Sequence, residues 1–421
     1  MFKYQVMNNG LRVISHEQAD ARSVAIAVFA KVGSRFETEE EHGITHFIEH
    51  LVFKGTKKRR NSFLIANEVE RVGGFLNAET GREYTAYLVK LPYQYLNLGI
   101  DILNDMLVNS LFCEDDILSE GKVVLEEIST YKDTPSEYIF DLLGELMWPN
   151  QALGRSELGT PETITNVTRE KIIKYMDTHY LPGNMVVSIA GNASHERVLS
   201  EISSYFNFEN NHYHYSIQGA VSSQDSPKLT IERKDTDEAH LCFGLRTIPR
   251  KHPDVFILKI VDTLLGKGMS CRLFQELRDK KGLAYNVSSH PALFWDTGAF
   301  IVYAGVTLAK VSDAIEIILK EFKNIRQGKI TKEELINAKE FYKGYLSLEL
   351  EDTLKMTEWL GMSLITEDEC PSLDELFEKI DKVSIDDIVR FSEDFFINKN
   401  LNAVLIGPYE NEKSFMECLN L

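Results

Sequence analysis

Two histidines and a glutamate near the N-terminus have a spacing that can do metal-dependent chemistry. The segment reads His46-Phe47-Ile48-Glu49-His50. In a helix, residues four apart lie on one face, so both imidazoles can reach the same metal ion. Glu49 lies beside them, where a carboxylate can act as general base for a zinc-activated water. The residue types therefore predict a hydrolytic zinc site with His46 and His50 as ligands and Glu49 as the base.

A second segment supplies candidates for the third ligand that a catalytic zinc site usually has. The pattern over residues 114–132 predicts a helix, and it contains Glu120, Glu126 and Glu127. At about 100° per residue, Glu120 and Glu127 lie two turns apart at the edge of the apolar side, and Glu126 lies on the solvent side. A carboxylate that faces a core needs a cation. We predict Glu127 as the third ligand and Glu120 as a residue that supports a ligand or handles protons.

Composition excludes several other classes of function. The net charge of −18 disfavours nucleic acid as a partner. No apolar run approaches the roughly 20 residues of a membrane span, so we expect no membrane association. The start of the chain lacks the apolar segment of a signal peptide, which predicts a cytoplasmic protein. The five cysteines are widely spaced, which argues against a disulfide framework and against a thiolate metal site.

The sequence contains an internal duplication. Residues 162–191 match residues 378–407 at a constant offset of 216 residues, as from Ile164 to Ile380 and from Gly191 to Gly407. Each copy reads as an N-capped amphipathic helix, a turn and an apolar strand. Because the offset is half the chain, two homologous halves are predicted rather than an array of repeats. We place the halves at residues 1–217 and 228–421, joined by a polar linker at residues 218–227.

Each half begins with strand patterns that are followed by long helical patterns. This order predicts an α+β fold in which each half is an α/β sandwich, a mixed sheet with helices packed on one face. The predicted strands cover residues 11–15, 23–31, 228–232 and 240–245, and a long helix is predicted over 95–111.

At the same offset, Asp262 and Gly266 stand where His46 and His50 stand in the first half. Neither an aspartate in that position nor a glycine reproduces the two-histidine pattern. The metal site is therefore predicted in the first half alone.

The motif and its flanks resemble a known family. Residues 43–56 read GITHFIEHLVFKGT, and residues 120–128 read EGKVVLEEI. These segments resemble the pitrilysin/insulinase family of zinc metallopeptidases, the inverzincins, and specifically its short branch, which includes the mitochondrial processing peptidase β subunit and its bacterial relatives. The resemblance implies that His46, His50 and Glu127 hold one Zn²⁺ per chain, with Glu49 as the base and Glu120 as an auxiliary glutamate.

Two further segments carry the resemblance. Residues 73–80, GGFLNAET, resemble the active-site edge strand of the family, which pairs with an extended substrate backbone. Residues 270–285 resemble its arginine/tyrosine element, and the resemblance implies that Arg278 and Tyr285 hold the substrate or the polarised carbonyl. The substrate-binding residues implied on the edge strand are Phe75, Leu76, Asn77 and Ala78.

The family resemblance also implies an assembly and a substrate class. Active and inactive halves would face each other across a closed chamber, like a clamshell, when two chains pair. A homodimer is expected because each chain carries both elements, and a heterodimer is the alternative. The expected function is that of a zinc endopeptidase acting on oligopeptides or unfolded presequence-like peptides.

Two other readings of the same sequence compete with this function. A catalytically silent structural or chaperone-like subunit on the same fold would typically have lost part of the motif, whereas this chain keeps every element. A binding module with a purely structural zinc usually closes its site with four protein ligands, often cysteines, and none lies near the motif.

Overall fold

The computed structural model describes residues 2–206, 217–221 and 224–421. The predicted linker at 218–227 lies partly outside this range, because residues 222 and 223 are not described. The strands are β1 (Phe2–Val6), β2 (Arg12–Glu17), β3 (Ser23–Ala30), β4 (Phe75–Thr80), β5 (Thr85–Pro92), β6 (Met185–Gly191), β7 (Lys228–Arg233), β8 (Ala239–Thr247), β9 (Ala284–Leu293), β10 (Gly298–Val306) and β11 (Leu401–Gly407). The helices are α1 (Ile44–Leu51), α2 (Ser62–Glu70), α3 (Leu96–Asn109), α4 (Glu114–Asp133), α5 (Pro135–Met147), α6 (Pro161–Thr165), α7 (Arg169–His179), α8 (His195–Tyr205), α9 (Val255–Gly266), α10 (Val311–Arg326), α11 (Lys332–Glu349), α12 (Thr353–Glu367), α13 (Leu373–Lys382), α14 (Ile385–Phe395) and α15 (Glu412–Met416).

The strands form two mixed sheets with the same order of equivalent strands. The first sheet has the order β1-β2-β6-β3-β5-β4, and the second has the order β7-β11-β8-β10-β9. In each sheet one pair is parallel, β2 with β6 and β7 with β11, and the other neighbours are antiparallel. The second sheet thus repeats the first without an equivalent of β1 among the described residues, which confirms two homologous α/β halves.

The offset of 216 residues seen in the sequence extends to whole elements. It relates β2 to β7, β6 to β11 and α7 to α14 from the first residue to the last. The predicted strands at 11–15, 23–31, 228–232 and 240–245 correspond to β2, β3, β7 and β8 within two residues at either end. The two predicted helices correspond to α3 and α4.

The chain divides into two compact units that are not continuous in sequence. Unit 1 contains residues 1–129, 156–218 and 347–372, and unit 2 contains residues 130–155, 219–346 and 373–421. Helix α5 of the first half therefore belongs to unit 2, and α12 of the second half belongs to unit 1. The predicted halves, 1–217 and 228–421, follow the sequence repeat, and the compact units depart from them in these two segments.

The exchanged helices cover the second face of each sheet, so the prediction of helices on one face was wrong. In unit 1, Thr357 Oγ1 of α12 donates to the backbone oxygen of Ala25 in β3 at 3.2 Å. Alternate residues of β3, such as Ile26, face the main core of that unit instead. The sequence of β3, SVAIAVFA, is apolar without alternation, which is typical of a strand buried on both faces.

The elements around the motif place it beside an edge of the first sheet. Strand β4 is the last strand of that sheet in the described residues, paired only with β5. Helix α1 packs next to β4. Within the residues searched, no helix is long and apolar enough to cross a membrane.

Close packing of α12 on β3 gives a prediction about stability. A Cβ added at Gly361 would lie 2.1 Å from the ring of the buried Phe29. We expect Gly361→Ala to lower the free energy of unfolding by about 1–3 kcal/mol, because the added methyl group overpacks the core. The matched control is Gly344→Ala in α11, where a Cβ meets no atom of the described residues within 4 Å. There alanine should raise the free energy of unfolding by about 0.5–1 kcal/mol. Urea unfolding followed by circular dichroism measures both, and equal midpoints for the two variants would contradict the packing argument.

Candidate metal centre

Helix α1 presents the motif because its apolar residues are fixed in the core of unit 1. The helix has eight residues, and its sequence ITHFIEHL places apolar side chains on the side opposite to the pair of histidines. His46 is buried, whereas Glu49 and His50 are half-buried. The buried apolar residues of the helix are Ile44, Phe47, Ile48 and Leu51.

The structure brings the three predicted ligands together from two helices. Glu127 of α4 has its Oε2 atom 3.5 Å from His50 Nε2 and 3.8 Å from His46 Nε2. One ligand atom from each of the three residues lies within 4.8 Å of the others. Glu126 is exposed on the far side of α4, as helical phase predicted. Across residues 2–206, 217–221 and 224–421 this is the one group of three potential metal-ligating side chains.

The protonation of both rings suits metal binding. His50 Nδ1 donates to Glu120 Oε1 at 2.9 Å, and because an ionised carboxylate only accepts, the proton of a neutral ring lies on Nδ1. The lone pair of Nε2 is then directed toward Glu127. Burial, with the neighbouring His50 as a smaller cause, lowers the pKa of His46 to about 3, so this ring is neutral near pH 7. Lys54 forms an ion pair with the other oxygen of Glu120.

The surroundings of the Glu127 carboxylate show whether these three residues fit a cation. Its Oε2 atom is buried and receives no hydrogen bond from any described residue, although it faces two imidazole nitrogens. An ionised carboxylate oxygen that faces the Nε2 lone pair of His50 is unfavourable unless a cation lies between them. Tetrahedral zinc with bonds of about 2.1 Å holds its ligand atoms roughly 3.4 Å apart, close to the spacing seen here. Two imidazoles and one carboxylate fit a zinc site that keeps a fourth position open.

The predicted base, Glu49, is held by the edge strand. Thr80, the last residue of β4, donates a hydrogen bond from Oγ1 to Glu49 Oε2. Burial raises the pKa of Glu49 above its ordinary value, and the hydrogen bond from Thr80 acts against this rise. A carboxylate with a raised pKa is a better proton acceptor at neutral pH. Thr80 was missed by the sequence analysis, although it lies on the same strand face as Leu76 and Ala78.

The four residues predicted to bind substrate lie on β4. Phe75 and Asn77 are exposed, Leu76 is half-buried and Ala78 is buried, which is the alternation of an edge strand with one covered face. Because β4 is paired only with β5 in the described sheet, its other edge has backbone groups available to an added strand.

Arg278 and Tyr285 form a second group in unit 2. The guanidinium carbon of Arg278 lies 5.1 Å from the centroid of the Tyr285 ring and 5.0 Å from that of Phe274. Arg278 belongs to a π-helical turn, Phe274–Asp279, and Tyr285 is 79% exposed at the start of β9. The structure therefore pairs these two residues with each other, in a different compact unit from the three ligands.

In the second half, the residues at the positions of His46 and His50 explain why the metal site is not repeated there. Asp262 of α9 is buried and accepts a hydrogen bond from Ser289 of β9. A Cβ at Gly266 would lie 2.1 Å from Ser289 Oγ, so no side chain fits where His50 lies in the first half. Burial raises the pKa of Asp262 to about 6, against the effect of Lys267.

Comparison with known proteins identifies the family. Residues 12–161 match the family model described as Insulinase (Peptidase family M16), and residues 166–342 match the Peptidase M16 inactive domain. A Bacillus subtilis protein named uncharacterized zinc protease YmxG is 33% identical over 98% of this chain and 100% of its own length. This chain belongs to peptidase family M16. It is therefore an enzyme that hydrolyses peptide bonds.

Other relatives and solved structures also match this chain over nearly its whole length. The uncharacterized zinc protease SCO5738 of Streptomyces coelicolor is 33% identical over 96% of this chain and 89% of its own length. A crystal structure of a protease from Helicobacter pylori has a TM-score of 0.91 at 25% identity, covering 97% of this chain and 99% of that one. The structure of a peptidase M16 inactive domain from Pseudomonas fluorescens has a TM-score of 0.89 at 15% identity, over 98% of this chain and 99% of that one, and shows the fold. The region of this chain that matches the inactive-domain model contains Asp262 and Gly266 but none of the three ligands.

The contact between His50 and Glu120 predicts how the site binds its metal. We expect Glu120→Gln to weaken zinc binding about 10–100-fold, because the acceptor that orients the imidazole loses its charge. Glu126→Gln is the matched control, since it changes the same residue type on the exposed side of the same helix. Competition with a chromophoric chelator measures both dissociation constants. Equal zinc dissociation constants for the two variants would show that Glu120 does not support metal binding.

Proposed function

We propose that this M16 peptidase is a zinc endopeptidase that cleaves oligopeptides or unfolded presequence-like peptides. His46, His50 and Glu127 would hold one Zn²⁺ per chain. The observation that carries the proposal is the buried Oε2 of Glu127, which lies beside two imidazole nitrogens and receives no hydrogen bond from the described part of the chain. The names of the relatives, zinc proteases of similar length, support the same metal.

The edge strand supports a requirement for extended substrates. A peptide that adds to β4 as a further strand must be extended over several residues, because its backbone groups on the facing side pair with those of β4. Phe75, Leu76, Asn77 and Ala78 would contact such a peptide. A closed chamber formed when chains pair would exclude folded proteins in addition.

The proposed chemistry divides the reaction among the residues of this chain. A zinc ion held by His46, His50 and Glu127 would acidify a water molecule and polarise the scissile carbonyl. Glu49 accepts the proton of that water and delivers it to the leaving amine. Thr80 holds one oxygen of Glu49, which leaves the other oxygen to handle the proton. Glu120 keeps the proton of His50 on Nδ1.

Arg278 and Tyr285 are proposed to bind the substrate backbone or its polarised carbonyl. The Arg278 guanidinium lies over the Tyr285 ring, and the exposure of Tyr285 leaves its hydroxyl available. Donors of this kind stabilise negative charge that develops on an oxygen.

The base gives the most direct test of the mechanism. We expect Glu49→Gln to lower kcat about 10²–10⁴-fold on an internally quenched peptide, because no group accepts the proton. Zinc content should stay at one per chain, since the three ligands are intact. Cleavage assays run beside elemental analysis measure both, with Glu126→Gln as control. A Glu49→Gln enzyme with full activity and bound zinc would contradict the proposed mechanism.

The assembly is proposed to be a homodimer, because each chain carries both the ligands and the arginine/tyrosine pair. Light scattering with size-exclusion chromatography should give a mass near twice the 48.1 kDa of the chain. An active species with the mass of one chain would overturn the homodimer. A mass that doubles only when a second, different protein is added would favour the heterodimer.

A further inference from the structure

The short segment of residues 33–37, here called the connector, contacts both the motif helix and the edge-strand hairpin. On one side, the backbone N–H of Ser34 donates to Gly81 O at 3.3 Å, and that of Arg35 donates to Arg82 O at 2.9 Å. Gly81 and Arg82 form the turn directly after Thr80, which holds the base. The connector is thereby attached to the end of the substrate strand.

A buried ion pair strengthens this side of the connector. Arg35 Nη1 donates to Glu83 Oε1 at 2.7 Å, and both side chains are nearly inaccessible to solvent. A charged hydrogen bond in such surroundings is short and directional. The turn between β4 and β5 is therefore fixed relative to the connector by side-chain and backbone contacts together.

On the other side, Glu37 holds the N-terminus of α1. Its Oε2 accepts the backbone N–H of Gly43 at 2.8 Å, and its Oε1 accepts that of Thr45 at 2.9 Å. Glu37 is 4% exposed. The first N–H groups of a helix have no partner within the helix, and a negative charge there is also favoured by the helix dipole. The residue before α1 makes no side-chain cap of its own, so Glu37 supplies this cap from a distance in sequence.

The position of α1 decides the geometry of the whole site. His46, Glu49 and His50 lie on its eight residues, whereas Glu127 lies on α4 and Thr80 on β4. A small rotation of so short a helix changes the distances from both imidazoles to Glu127 and from Glu49 to Thr80 together. Metal ligation and proton transfer both depend on placement to a fraction of an ångström.

We propose that Glu37 is a positioning residue of the peptidase. Its carboxylate fixes α1 so that His46 and His50 face Glu127 and Glu49 reaches Thr80 of the edge strand. The inference rests on the proposed zinc chemistry of this site and deepens it. A purely stabilising cap would affect only the unfolding of the protein. A positioning residue also changes the site in molecules that remain folded.

The test compares Glu37→Gln with the wild-type chain under conditions where both are folded by circular dichroism. Gln removes the charge and turns one acceptor into a donor that faces an N–H. We expect the zinc dissociation constant to rise about 10–100-fold, as for partners that orient ligands. The visible absorption of the Co²⁺-substituted protein should change, because it reports ligand geometry. We also expect kcat on a quenched peptide to fall about tenfold or more, with KM changed much less.

Ser194→Ala is the matched control. Ser194 caps α8 in the same unit by accepting from the backbone N–H of Arg197, and α8 carries none of the site residues. Its loss should lower the unfolding midpoint while zinc affinity, the Co²⁺ spectrum and kcat stay at wild-type values. Glu37→Asp, which keeps the charge but shortens its reach, should give effects of the same sign and decides the matter if Glu37→Gln does not fold.

The outcomes separate this inference from the proposed function. A folded Glu37 variant with wild-type zinc affinity, Co²⁺ spectrum and kcat would overturn the positioning role and leave the function intact. If the wild-type chain binds Co²⁺ but cleaves no peptide, the metal readouts still decide the role of Glu37 while the proposed function fails. A wild-type chain that binds neither Zn²⁺ nor Co²⁺ would overturn both.

Discussion

The placement of the buried Glu127 Oε2 is the requirement on which the metal site of unit 1 depends. This oxygen faces the Nε2 atoms of His46 and His50 and receives no hydrogen bond from the described residues. A carboxylate oxygen facing the lone pair of His50 Nε2 is unfavourable without a cation, and each ligand atom must be kept in place by other parts of the fold. The core under α1, the bond from His50 to Glu120 and the cap by Glu37 all act on that requirement.

The two halves use one architecture with different polar chemistry. In the first, a hydroxyl at the edge strand, Thr80, donates to Glu49 on the adjacent helix. In the second, Ser289 of β9 donates to Asp262 on α9. The contact between helix carboxylate and strand hydroxyl thus occurs in both halves, although only the first has the histidines. At Gly266 the close approach of Ser289 leaves no space for a ligand side chain.

Each sheet is completed by a helix from the other half of the sequence. Helix α5 packs on β8 and β11 in unit 2, and α12 packs on β3 and β6 in unit 1. Because both faces of the central strands are buried, each sheet needs this second cover. The exchange means that the described residues of either sequence half do not by themselves cover both faces of its sheet.

Local patterns in the sequence determined the motif helix, the choice of Glu127 over Glu126, the mixed sheets and the duplication. These follow from helical phase, strand periodicity and a constant offset, which all act between residues close in sequence or equivalent in the repeat. The continuous apolar run of β3 is typical of a strand buried on both faces, a signal that the prediction of helices on one face did not use. Only the tertiary structure decided that α12 packs there, that Thr80 meets Glu49 and that Glu37 caps α1. Those contacts join separate segments of the chain. Their approach depends on the packing of the whole unit, which residue type and spacing do not indicate.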